Sequence, residues 1–153
     1  MLKPILLVED DPKDLELTLI ALEKSQLAND VVVVRDGAEA LDCLFRRGKF
    51  SAANELPAVV LLDLKLPKVN GLEVLKTIRE DERLKKVPVV MLTSSREEPD
   101  LRAAYDLGVN AYVVKPVQFR DFVKAISDLG IFWAVLNEPP PGSARKPGHH
   151  TER

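Results

Sequence analysis

From residue 3 to about residue 137, short apolar runs alternate with longer segments of helical spacing. The runs are Ile5-Leu6-Leu7-Val8, Val31 to Val34, Val59 to Leu62, Val89 to Leu92 and Ala111 to Val114. They carry almost no polar residue, which predicts strands buried on both faces, as in a parallel sheet. After the first run, Leu15, Leu19 and Leu22 recur at helical spacing behind Pro12, a residue suited to a first helical turn, and Asp11 stands where it could cap that turn. Ala38, Leu41, Leu44 and Phe45 follow Asp36-Gly37 in the same way, and Leu72, Leu75 and Ile78 follow Asn70-Gly71. Leu101, Ala104 and Leu107 form a fourth stripe, closed by Gly108, which suits the left-handed residue that ends many helices. A fifth helix begins near Gln118 and carries Phe119, Phe122, Val123, Ile126 and Leu129. Five strands alternating with five helices predict an α/β three-layer sandwich. Right-handed crossovers put helices on both faces of a parallel five-stranded sheet of order 2-1-3-4-5.

The fifth helix is read as continuing past Leu129 through Gly130 to Leu136, although glycine costs about 1 kcal/mol there relative to alanine. Ile131, Phe132, Trp133, Val135 and Leu136 crowd apolar positions around more than one helix face. Either the segment folds back over its own core or part of it meets a second chain. A homodimer through the fourth helix, fifth strand and fifth helix would use Leu101, Tyr105, Phe132, Trp133 and Leu136. Beyond residue 137 the run Pro139-Pro140-Pro141-Gly142-Ser143 and its polar remainder read as an unpacked tail, so that residues 1–137 form one domain and 138–153 a Pro-rich extension.

Composition narrows the function classes. The chain has 153 residues, room for one ordinary domain, and 22 basic groups against 24 acidic ones, a formal charge of −2. No basic surplus is present to neutralise phosphates, so direct nucleic-acid binding is not expected. Cys43 stands alone and cannot form an internal disulfide, and the run before Glu9 is too short to span a bilayer, so a cytoplasmic location away from the membrane is expected. The only histidines, His149 and His150, lie in the polar tail and leave no Cys/His metal cage.

Candidate chemistry collects where strands end. In such sheets ligands bind beyond the carboxyl ends of the strands. The first strand ends in Glu9-Asp10-Asp11, the third in Asp63, the fourth in Thr93-Ser94-Ser95 and the fifth in Lys115-Pro116. Singly, each has an ordinary use: Asp11 or Thr93 as a helix cap, Lys115 as half of a surface pair. Together, Glu9, Asp10 and Asp63 would repel one another unless a cation came between them, and hard oxygen donors suit Mg²⁺ shared with a phosphoryl group. Lys115 and Thr93 on the far side would meet a new anion on Asp63, and a carboxylate can attack phosphorus to give an aspartyl phosphate.

These segments resemble the response-regulator receiver domain of two-component signalling. The resemblance is carried by Ile5-Leu-Leu-Val-Glu-Asp-Asp-Pro12, Val60-Leu-Leu-Asp-Leu-Lys-Leu-Pro67 with Asn70-Gly71, Val90-Met-Leu-Thr-Ser95 and Gly108-Val-Asn-Ala-Tyr-Val-Val-Lys-Pro116. It implies a flavodoxin-like fold and a non-enzymatic phosphoacceptor, Asp63, charged by a phosphohistidine kinase, with slow self-dephosphorylation. It further implies Mg²⁺ held by Glu9, Asp10, Asp63 and the Lys65 backbone carbonyl, phosphoryl contacts from Thr93 and Lys115, and a cis peptide before Pro116. Tyr112 is implied to be the switch aromatic, although its other reading is a strand residue packed on a neighbouring helix. More narrowly, Asp63-Leu-Lys-Leu-Pro-Lys68, Thr93-Ser-Ser-Arg-Glu-Glu-Pro-Asp100 and Phe132-Trp133 with Leu136-Asn-Glu-Pro-Pro140 resemble the single-domain regulators that partner bacterial phytochrome kinases. Ser94, where alanine or glycine is common in the family, and Lys65 are the departures. Two rivals remain: a Mg²⁺-dependent aspartyl-phosphate phosphatase, which would want an aspartate where Lys65 stands, and a flavodoxin-like ligand-binding module, which would want a glycine-rich loop where Glu9-Asp10-Asp11-Pro12 stands.

Overall fold

A computed structural model describes residues 3–25, 29–51 and 56–130. Its elements are β1 (Ile5–Val8), α1 (Pro12–Lys24), β2 (Val31–Val34), α2 (Gly37–Leu44), a 3₁₀ turn (Gly48–Phe50), β3 (Val59–Asp63), α3 (Gly71–Glu80), β4 (Val89–Thr93), α4 (Pro99–Asp106), β5 (Ala111–Val114) and α5 (Phe119–Asp128). All strand pairs are parallel and the order is β2-β1-β3-β4-β5, as the alternating pattern predicts. In register, Ile5 faces both Val31 and Val59, Val60 faces Val89, and Val90 faces Ala111.

Alternate residues of each strand enter two cores. Leu6, Val8, Val60 and Leu62 pack with Leu44 of α2, Val74, Leu75 and Ile78 of α3 and Ala104 of α4. Ile5, Leu7, Val59 and Leu61 pack on the other side with Ala21 and Leu22 of α1 and Phe122, Ala125 and Ile126 of α5. β1, β3 and β4 are buried throughout. The edge strand β2 is not: Val33 lies at the surface, because a strand with one neighbour is covered less fully.

The helix starts follow local chemistry. Asp11 accepts hydrogen bonds from the Lys13 and Asp14 amides (2.8 and 3.0 Å), Asp36 from Glu39 (2.7 Å) and Asn70 from Glu73 (3.0 Å). α4 has Pro99 in its first turn but no side-chain cap, and Gly108 takes φ +91° just beyond its end. Across that end, the Arg79 guanidinium donates to the carbonyls of Gly108 and Val87 (2.9 and 2.8 Å) and to Asn110 Oδ1 (2.7 Å), which also accepts from the Val89 amide.

Three helix readings need correction. On α1 the buried face is Thr18, Ala21 and Leu22, and Leu19, roughly 100° round the helix from Thr18, is exposed with Ile20. Phe119 is likewise outside the core, whereas Phe122 is buried. α5 ends at Asp128 rather than running through Gly130, whose φ of +73° and N–H to the Ser127 carbonyl (3.0 Å) close the helix. Ile131 to Leu136 and the extension from residue 138 lie outside the described residues. Among the described residues no helix is long and apolar enough to cross a membrane.

The start of α2 is pressed against the β3–α3 loop, where a β-carbon on Gly37 would overlap the Val69 carbonyl oxygen. Gly37→Ala is therefore expected to destabilise the fold by about 1–3 kcal/mol. Urea denaturation checks this, and a wild-type midpoint and slope would contradict the contact.

Candidate functional site

Parallel strands present all their carboxyl ends along one edge, and the polar strand ends meet there. Glu9 and Asp10 follow β1, Asp63 ends β3, Thr93 ends β4 and Lys115 follows β5. The ladder continues just past the strands, with Glu9 N–H on the Val34 carbonyl (3.1 Å), Leu64 N–H on Leu92 (3.0 Å) and Lys115 N–H on Thr93 (2.7 Å), so these side chains spring from a fixed frame. Glu9, Asp10 and Asp63 each offer a carboxylate oxygen within 4.8 Å of the others. Glu9, Asp63 and Thr93 are buried, and Asp10 is half-buried. The Lys115 ammonium lies 3.3 Å from Asp63 Oδ2, 3.4 Å from Glu9 Oε1 and 3.1 Å from Asp14 Oδ2.

Backbone groups hold the carboxylates in place. Asp63 Oδ1 accepts from the Lys65 amide (3.1 Å) and Glu9 Oε2 from the Asp11 amide (3.3 Å). The Asp10 carbonyl accepts from Arg35 Nη2 (2.8 Å). Asn70-Gly71 allows α3 to start directly against Asp63, since a β-carbon on Gly71 would fall 2.5 Å from the Asp63 carbonyl oxygen.

Crowded like charge shows in the acid–base behaviour. Burial first, then a shared hydrogen bond with Asp63 and its charge, push Glu9 up to about 8. Burial works to lower the pKa of the Lys115 ammonium but is outweighed by Asp63, Glu9 and Asp14, which together hold it above its ordinary value. The cluster thus gathers more carboxylates than its one lysine can neutralise. Three hard oxygen donors without histidine or thiolate fit a divalent metal of the oxygen-seeking kind.

The other residues singled out in the sequence are placed as follows. Thr93 Oγ1 donates to the Ser95 carbonyl (3.0 Å) and accepts from the Ser95 amide (3.4 Å), so its hydroxyl is turned into its own loop. The Lys115–Pro116 peptide is cis. Tyr112 is half-buried, packs on the α2–α3–α4 core and meets Tyr105 edge-on at 6.3 Å and 87°. The Lys65 ammonium points away from Asp63, to Glu98 (3.3 Å) and Asp100 (3.2 Å) at the start of α4. Of the dimer candidates, Tyr105 is 47% exposed and Leu101 only 6%, so Leu101 packs within its own chain. Phe132, Trp133 and Leu136 lie outside the described residues.

Asp14, Glu98 and Asp100 are the contacts that sequence reasoning missed. Each is an acid at or near a helix start, where the helix dipole alone would account for it. For Asp14 a signal was available: behind the Asp11 cap and Pro12 it sits in the first turn of a helix that begins at the pocket's rim.

Comparison with known proteins follows the same lines. The family described as "Response regulator receiver domain" matches residues 5–127. The solved structure of the bacteriophytochrome response regulator RtBRR is 72% identical, with TM-score 0.83 over 94% of this chain and 87% of that one. That of the bacteriophytochrome response regulator AtBRR is 67% identical, with TM-score 0.82 over 90% and 99%. The Mn²⁺-bound form of response regulator Rcp1 is 35% identical, with TM-score 0.71 over 94% and 99%. The Synechocystis sp. response regulator Rcp1 is 39% identical over 131 residues, 86% of this chain and 88% of its own length. With a parallel sheet of order 2-1-3-4-5, an acidic cluster and a lysine at its carboxyl edge, and these relatives, the chain belongs to the response regulator receiver domain family.

Proposed function

We propose that Asp63 accepts a phosphoryl group from the phosphohistidine of a sensor kinase, and that this kinase is of the phytochrome type. The observation that carries the reading is the Asp63 carboxylate, buried between the Lys115 ammonium at 3.3 Å and the carboxylates of Glu9 and Asp10. An Asp63 oxygen attacks phosphorus, a P–O bond forms, and the P–N bond breaks with its electron pair returning to the imidazole. Lys115 stays protonated and faces the oxygens of the new group. Mg²⁺, held by Glu9, Asp10, Asp63 and the Lys65 carbonyl, would draw charge from the phosphoryl group. The Mn²⁺ named for the Rcp1 structure supports a divalent ion in this chain as well.

The phosphoryl group then recruits the Thr93 hydroxyl from the Ser95 carbonyl, and Tyr112 leaves its edge-on contact with Tyr105, changing the face made by α4, β5 and α5. That face is where a second copy would dock, through Tyr105 and the segment holding Phe132, Trp133 and Leu136. The receiver unit spans residues 1–137 with 138–153 as its tail, acts in the cytoplasm without contacting nucleic acid, and loses its phosphoryl group slowly. Two bacteriophytochrome regulators at 72% and 67% identity support the photoreceptor partner. A phosphatase reading finds no support in Lys65, whose ammonium is occupied by Glu98 and Asp100 and supplies no general acid at Asp63.

Incubation with acetyl phosphate and Mg²⁺ is expected to add one phosphoryl group by intact mass, mapped to Asp63 and absent in Asp63→Asn. An adduct that survives the substitution would sink the mechanism.

The raised pKa of Glu9 sets the pH dependence. A carboxyl raised in the folded state contributes stability that is complete below its ordinary value and is lost as pH rises through about 8. Divalent metal needs the deprotonated form, so the rise in melting temperature on adding Mg²⁺ is expected to grow from about pH 6 to about pH 9. A shift that is flat or shrinks over that range would contradict the assignment.

For assembly, light scattering is expected to show a dimer weakened by Tyr105→Ala and by Trp133→Ala. Monomeric mass in all three proteins would remove the interface.

A further inference from the structure

Lys115 has three carboxylate partners, and its shortest contact is with neither Asp63 nor Glu9. Asp14 Oδ2 lies 3.1 Å from the ammonium, against 3.3 Å for Asp63 and 3.4 Å for Glu9. The side chains of Lys115 and Asp14 are 14% and 30% exposed, so the pair is partly shielded from salt, and Asp14 is set by its own amide bonding to the Asp11 cap at 3.0 Å. The ammonium therefore sits between the mouth of the pocket and the first turn of α1. Among the described residues no other cation forms an ion pair with Asp14; Glu9 and Asp63 are the other carboxylates paired with Lys115, and the charge of Asp11 also acts on it.

We infer that Asp14 is a positioning residue for Lys115: it holds the ammonium toward α1 while Asp63 is unmodified and surrenders it when a phosphoryl group forms. The inference rests on the phosphoacceptor reading of Asp63. A phosphoryl group carries more negative charge than the carboxylate it replaces and offers three acceptor oxygens, so it competes for the ammonium against Asp14. Breaking the Asp14–Lys115 pair opposes that transfer, so Asp14 lowers the stability of the phosphorylated form. Removing its charge leaves Lys115 free for the phosphoryl oxygens and also eases the approach of an anionic donor. The chemistry is otherwise unchanged. Asp63 forms the new P–O bond, the donor's P–O bond breaks with its electron pair on acetate when acetyl phosphate is used, and no proton leaves Lys115.

The test uses the full chain with acetyl phosphate at saturating Mg²⁺, comparing wild type with Asp14→Asn and Asp14→Glu. Asp14→Asn is expected to lengthen the half-life of the phosphorylated protein after donor removal by about three- to fivefold, the scale of one partly exposed ion pair. It is also expected to lower the donor concentration that half-loads the protein by a similar factor. Asp14→Glu, which keeps the charge, is expected to stay near wild type. The Lys115 Nζ resonance is expected to differ between wild type and Asp14→Asn before phosphorylation and to converge after it. An unchanged half-life in Asp14→Asn, or an equal change in Asp14→Glu, overturns the inference while leaving the phosphoacceptor reading intact. Absence of any adduct in wild type overturns both.

Discussion

Two unit charges about 5 Å apart repel by roughly 3 kcal/mol at an effective dielectric near 20, and this chain places three carboxylates within that reach of one another at a sheet edge. Water cannot relieve the repulsion, because Glu9 and Asp63 are buried. The acids stay together because each is tied to a strand or to the turn that follows it, and those strands are locked by a parallel ladder with an apolar core on both faces. Separating the carboxylates would mean shifting β1 against β3, which would misregister both cores. The fold thus stabilises a charge arrangement that the side chains alone would disperse, and the arrangement is relieved by a cation or a shared proton.

The interior elements were the most legible in the sequence. An unbroken run such as Ile5 to Val8 has few alternatives to a doubly covered strand, and the turn chemistry of Asp36-Gly37 and Asn70-Gly71 marks the following helices within a residue. The pocket was legible for the same reason, since strand ends in a parallel sheet all face one way. Legibility fell where neighbours decide. Leu19 satisfies helical spacing as well as Thr18 does, but α1 packs on the sheet and α5 at an angle that buries Thr18, Ala21 and Leu22. The end of α5 turns on Gly130, which is costly inside a helix but at ease at positive φ, and the second property decides where the helix stops. Long-range ion pairs were invisible: Lys65 with Glu98 and Asp100 joins residues more than thirty positions apart, and exposed charges of either sign fit a helix start.

Lys65 also shows how one residue serves two surroundings. Its amide fixes the Asp63 carboxylate, while its ammonium reaches the first turn of α4. Glu98, at the head of that helix, makes no capping bond and gives its carboxylate to Lys65 instead. An exposed pair of this kind is weakened by the surrounding water, so this end of α4 is held only lightly.

The far end of α4 is held quite differently. There Arg79 gathers the Gly108 and Val87 carbonyls and the Asn110 side chain, which in turn engages the Val89 amide, so several backbone groups would have to be released at once to shift it. In mechanical terms α4 is a lever with a stiff pivot at Gly108 and a soft catch at Glu98. A small displacement beside Asp63 would therefore shift the Glu98 end of the helix more readily than the Gly108 end.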